Sequence, residues 1–138
     1  MTKEQLIAEC LKMPDSTVGH PYGPDVTVAK NAKGKSFANI GIFTQKEVES
    51  VKRNCDPNAP AQEGDLNITV KCPPELIYML RDQYSAIIPG YYSNKDHWNT
   101  IIVGKDVSDE EIKMMIRLSH DLVTNPPKKK GNSKSPTK

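Results

Sequence analysis

The clearest pattern along the chain is an alternation. Leu66, Ile68, Val70 and Cys72 are apolar while Asn67, Thr69 and Lys71 between them are polar, the period of two expected of a strand with one buried face. A different period governs the two ends of the chain. Leu6, Ile7, Cys10 and Leu11 fall on one side of a helix that Thr2 and Gln5 open with capping-box spacing and Pro14 ends. Ile112, Met115, Ile116, Ser119 and Leu122 do the same for a helix opened by Ser108 and Glu111, with Asp109 and Glu110 suited to its positive end. That helix is expected to run to about Val123. Pro73 and Pro74 suit a first helical turn, and Leu76, Ile77, Leu80 and Tyr84 follow at helical spacing, which predicts a further helix over 74–83.

Shorter apolar runs supply the remaining strands. Residues 26–30 and 37–43 are joined by Asn31-Ala32-Lys33-Gly34-Lys35, a polar stretch whose glycine can take the left-handed conformation of a hairpin turn. Residues 86–92 and 98–103 flank Ser93-Asn94-Lys95-Asp96, which has turn chemistry. Between 45 and 65 the chain is polar and rich in Asp, Asn, Pro and Gly. It reads as a long surface connection, although Val48 and Val51 can support a short helical turn before Asn54. The resulting order, α-β-β-β-α-β-β-α, is that of an α+β domain.

Composition changes this picture mainly at the C-terminus. A chain of 138 residues with 36% hydrophobic and 26% charged residues suits one core of ordinary size. That core is expected within residues 1–123. Residues 124–138 have almost nothing to bury and are expected to form a basic disordered tail. The tail holds Lys128, Lys129, Lys130, Lys134 and Lys138 and no acid, so 14 of the 19 basic residues remain in the body against all 17 acids. The body is mildly acidic and the tail carries the positive charge. No apolar run approaches a membrane span, and the N-terminus has neither a basic region nor a long apolar stretch. Cys10, Cys55 and Cys72 form no C-x-x-C pair, so free thiols and a cytoplasmic location without membrane association are expected.

Candidate chemistry is sparse. Ala29 to Ser36 fits the loose A-x-x-x-x-G-K-S form of a phosphate-binding loop, but such a loop needs a helix after Lys-Ser and residues 37–43 read as strand. His20, His97 and His120 lie outside any metal-ligand spacing. Cys55 has no histidine close in sequence to act as its base. Asp106, Asp109, Glu110 and Glu111 sit where carboxylates stabilise a helix start. Neither a catalytic residue, a metal, a cofactor nor a small-molecule substrate is therefore expected. The lysines point elsewhere. Lys128, Lys129 and Lys130 of the tail, with Lys33 and Lys35 on the first hairpin and Lys95 and His97 by the second, are candidates for phosphate contacts with a nucleic acid.

Several segments together resemble the MmcQ/YjbR family, small bacterial proteins also described as resembling the frataxin homologue CyaY. They are Cys10-Leu11 and Pro14, His20-Pro21-Tyr22-Gly23, Gly34-Lys35-Ser36-Phe37-Ala38, and the run from Leu66 to Glu75. Ile88-Pro89-Gly90-Tyr91-Tyr92, His97-Trp98-Asn99-Thr100-Ile101 and Ser119-His120-Asp121-Leu122-Val123 complete the set. The resemblance covers the body and leaves out the tail. It implies a twisted antiparallel sheet with helices packed on it, and a non-enzymatic, DNA-binding role, a label that transfers by analogy of fold. A frataxin-like metal carrier is disfavoured because the first helix holds only Glu4 and Glu9 as acids. The element order also looks like that of secretion-chaperone-type folds, which implies as the alternative a protein-interaction module acting as monomer or homodimer.

Overall fold

The computed structural model describes residues 1–90 and 94–126, and its helices start where side chains satisfy their first amides. α1 (Lys3–Leu11) and α4 (Asp109–Thr124) both carry complete capping boxes. Thr2 Oγ1 accepts from the Gln5 amide at 3.1 Å, and Ser108 Oγ accepts from the Glu111 amide at 3.2 Å. α3 (Pro74–Gln83) starts on the two prolines, where a missing amide costs nothing.

α2 (Gln45–Asn54) corrects the expectation of a long connection over 45–65. Thr44 and Glu47 form a third capping box, and Val48 and Val51 are buried. Two apolar residues three apart make a narrow stripe, so periodicity understates this helix while its cap states it fully.

Six strands form one sheet: β1 (Thr17–Gly19), β2 (Thr27–Lys30), β3 (Ser36–Ile42), β4 (Leu66–Lys71), β5 (Ile87–Pro89) and β6 (Trp98–Ile102). Their spatial order is β1-β2-β3-β4-β6-β5, every neighbour antiparallel. The α+β class and helix-packed antiparallel sheet agree with expectation; β1 and α2 are additions to the expected order. β1 is three residues long, too short for an alternation to show. β5 stops at Pro89, at the edge of the sheet where a strand tolerates a residue without an amide. The expected continuation through Tyr91 and Tyr92 lies outside the described residues.

Register divides the sheet into two faces. Ala38, Ile40, Ile68, Val70 and Ile101 share one of them and are buried. α1 and α4 bury Leu6, Cys10, Ile112 and Ile116 in the same core cluster. A small cavity ringed by Val70, Asn99, Leu80 and Met115 marks where α3 and α4 meet on this face. Each fully buried isoleucine contributes roughly 2–3 kcal/mol. Glu9 is also buried, bonded to Lys12 at 2.6 Å with Arg117 at 3.8 Å, so one of the two acids of α1 is a structural group. The other face carries Asn39, Gly41, Asn67 and Thr69, and α2 begins beside them.

Candidate nucleic-acid interface

The antiparallel register decides which loops share an end of the sheet. Ala38 lies opposite Val70, and Val70 opposite Asn99. The turn before β3, the end of β4 and the loop before β6 therefore stand side by side. The β2–β3 turn and that loop are separated by two strand spacings, about 10 Å. Lys33, Lys35, Lys95 and His97 all belong to this end; the three lysines are exposed and His97 is half-buried. Lys30 and Lys71, both half-buried, close the strands at the same end.

The β2–β3 turn is built by its own asparagine. Gly34 takes a φ of 80°, and Asn31 Oδ1 accepts the amides of Lys33 at 3.0 Å and Lys35 at 2.9 Å. A phosphate-binding loop would offer those amides to its ligand; here a carboxamide occupies them, and a strand follows. The Ala29–Ser36 pattern is a hairpin turn, and Lys33 and Lys35 on it are exposed.

α4 is pinned to this end. Ser119 is fully buried; its hydroxyl donates to the Phe37 carbonyl at 2.6 Å and accepts from the Lys71 amide at 2.8 Å, joining β3 to β4. Asn31 Nδ2 donates to Thr124 Oγ1 at 3.2 Å. His120 stands edge-on to the Phe37 ring with centroids 5.0 Å apart. Residues beyond Pro126, with Lys128, Lys129 and Lys130 among them, lie outside the described residues, but the chain reaches them from beside Asn31.

Arg81 is the residue that sequence reasoning missed. From α3 its Nε donates to the buried Asn99 at 2.6 Å, and its guanidinium bonds the carbonyls of Lys95 and, at 3.2 Å, Trp98. The same group lies 5.1 Å over the Tyr78 ring, and Tyr78 donates to Asp96 at 2.9 Å. Burial lowers the Arg81 pKa while the neighbouring Tyr78 and Asp96 act against that fall. The hydrogen bond to Asp96 raises that of Tyr78. This clasp holds the backbone carrying Lys95 while leaving the lysine side chain outward. Arg81 commits its Nε and one terminal nitrogen to these internal acceptors, which ties the loop before β6 to α3. Trp98, half-buried in β6, passes so close to Gly90 that an added Cβ there would fall 2.8 Å from the Trp98 Cβ.

Several other candidates are engaged elsewhere. His20 shares a 3.1 Å hydrogen bond with Thr27. Burial pushes the Cys10 thiol up to about 12 and the Cys72 thiol up to about 11, which keeps both protonated. Asp106 accepts the amides of Ser85 and Ala86 at 2.8 and 2.9 Å, Asp109 meets the Met1 amine at 3.2 Å, and Glu111 caps α4 and accepts from Tyr84. These acids are caps and clasps.

The family model for YjbR matches residues 11–122. The chain belongs to the YjbR family. The uncharacterised protein YjbR of Escherichia coli K12 is 31% identical over 127 residues, covering 91% of this chain and 89% of that one. Protein YyaQ of Bacillus subtilis 168 is 37% identical over 93 residues, 65% of this chain and 78% of its own. Among solved structures, a Pseudomonas syringae protein superposes with a TM-score of 0.74 at 26% identity, covering 89% of this chain and 99% of its own. A Deinococcus radiodurans protein with a DUF419 domain gives 0.70 at 25%, covering 94% and 83%. The six-stranded sheet of this chain is thus a YjbR-family fold. Among the described residues no helix is long and apolar enough to cross a membrane.

Proposed function

We propose that this YjbR-family domain binds DNA through phosphate contacts at the lysine end of its sheet, and that it acts by binding and not by catalysis. One observation carries the reading: strand register gathers Lys33, Lys35, Lys95 and His97 from two separate hairpins onto the end from which α4 releases the lysine-rich tail. Phosphates need mobile, outward cations on a fixed backbone. The Asn31 turn and the Arg81 clasp supply the fixed backbone. The mild acidity of the body makes contact depend on this end and on the tail, with little attraction elsewhere. Burial keeps the Cys10 and Cys72 thiols protonated and out of thiol chemistry, while Cys55 is half-buried.

The test is fluorescence anisotropy of a labelled duplex across a salt series, comparing the full chain with a form ending at Thr124. Binding by both forms, weaker and less salt-dependent for the shorter one, is the expected result. Binding confined to the full chain would assign the activity to the tail alone, and absence of binding by both would overturn the reading. The protein-interaction alternative draws on Leu11, Met79 and Met114, which are 48%, 51% and 60% exposed on α1, α3 and α4. Sedimentation equilibrium showing a homodimer lost on replacing these residues with Ser would place it ahead.

A further inference from the structure

The face of the sheet away from α1 and α4 holds a groove of about 250 Å³ between β3 and β4. Register sets its floor: Asn39 lies opposite Thr69, and Gly41 opposite Asn67, all alternating onto one face. The Thr69 hydroxyl is committed to Thr100 at 2.7 Å. Asn39 and Asn67, by contrast, make no side-chain hydrogen bond among the described residues. Gly41 keeps the floor low; a Cβ there would stand 3.9 Å from Asn67 Oδ1, an ordinary contact. The rim adds Tyr22, which is 79% exposed, and two acidic residues, Asp25, whose backbone carbonyl lies 4.0 Å from where a Gly41 Cβ would stand, and Glu47. No lysine, arginine or histidine lines the groove.

An exposed aromatic residue, two acidic residues and two carboxamides without protein partners, with no cation in the lining, form a site of negative charge. A phosphate or carboxylate ligand finds no counter-charge in it. The complementary group is flat, positive and made of donors alone, which describes a guanidinium: five N–H donors, no acceptor, and a plane that stacks on aromatic rings. An ammonium has the charge without the plane. Free arginine would bring its own carboxylate against Asp25, and the volume suits one side chain better than a drug-sized ligand.

We propose that this groove is a docking site for one arginine side chain presented by a peptide segment of a partner protein. Tyr22 stacks on the guanidinium, Asp25 pairs with it, and Asn39 and Asn67 accept its remaining donors. The site lies away from the lysine end, so it stands whether or not DNA binds there.

Amide-shift NMR of the full chain titrated with acetyl-Gly-Arg-Gly-amide tests it, with the lysine and citrulline peptides and free arginine as comparisons. Shifts at Tyr22, Asp25, Gly41 and Asn67 are expected with the arginine peptide, and affinity at least about tenfold weaker for each comparison ligand. Tyr22→Ala and Asp25→Asn, both changes at exposed positions, are each expected to weaken binding about fivefold or more with the rest of the spectrum unchanged. Shifts outside the groove, equal affinity for citrulline, or no binding would overturn the proposal. Equal affinity for the lysine peptide would reduce the groove to an unselective acidic patch and overturn the arginine assignment.

Discussion

The two ends of the sheet treat their charges in opposite ways. At the end where β4 begins and β6 finishes, three carboxylates are consumed by structure while Asp25 stays exposed: Asp106 accepts two amides, Asp65 meets Lys105 at 3.6 Å, and Asp109 meets the Met1 amine. At the other end, Lys33, Lys35 and Lys95 are exposed and enter no ion pair among the described residues. Charges tied into caps stabilise a fold and are spent. Charges held out on a braced backbone have solvent and ions as their surroundings, and a polyanion displaces those with a gain of counterion entropy. The contrast teaches that unspent charge on fixed backbone, not net charge, singles out the end proposed to bind DNA in this mildly acidic domain.

Reversing the lysine end should break the contrast most severely. Lys33→Glu, Lys35→Glu and Lys95→Glu together are expected to lower DNA affinity by a hundredfold or more at low salt, and to reduce the slope of log affinity against log salt by about 2.7. Anisotropy titration measures both. Asp65→Lys at the opposite end should leave that slope unchanged.

Loosening the brace comes next. Arg81→Leu removes the guanidinium from Asn99, Lys95 and Trp98, and is expected to cost about 2–3 kcal/mol in urea unfolding. DNA affinity should fall less than in the triple variant, since the lysines remain. Thr44→Ala, which strips the N-cap from α2 far from the lysines, is expected to cost about 1 kcal/mol with DNA binding intact.

Acid should act on the spent charges and sharpen the comparison at its smallest scale. Burial pushes the Asp106 carboxyl up, but the amides and hydroxyl it accepts bring it below its ordinary 3.8. The Tyr84 hydroxyl and the Ser108 cap hold Glu111 below 4.5. Both groups have lower pKa values folded than unfolded, so their stabilisation is present above the ordinary carboxylate range and is lost as pH falls through the folded values. Asp106→Asn with Glu111→Gln should flatten the loss of stability between about pH 5 and pH 2, followed by the urea midpoint.

Much of the fold was legible because its signals are local. The Thr2–Gln5 and Ser108–Glu111 boxes and the alternation from Leu66 to Cys72 each lie within a few residues. Thr44-x-x-Glu47 is the same kind of signal, hidden by the polar company of α2. Lys33, Lys35, Lys95 and His97 were also legible as hairpin residues. That they share one end was not, because this follows from β4 pairing with both β3 and β6 across a crossover. The Arg81 clasp and the Asn39–Asn67 groove depend on the same long-range register, which no local pattern encodes.

The central claim, that the lysine end is the DNA-facing end, is tested most directly by mapping amide shifts of the full chain on addition of a short duplex. Perturbations concentrated at Asn31 to Lys35, Lys71 and Lys95 to His97 are the result expected. Perturbations concentrated on the helical face or around Asp65 and Asp106, or none at all, would contradict the account.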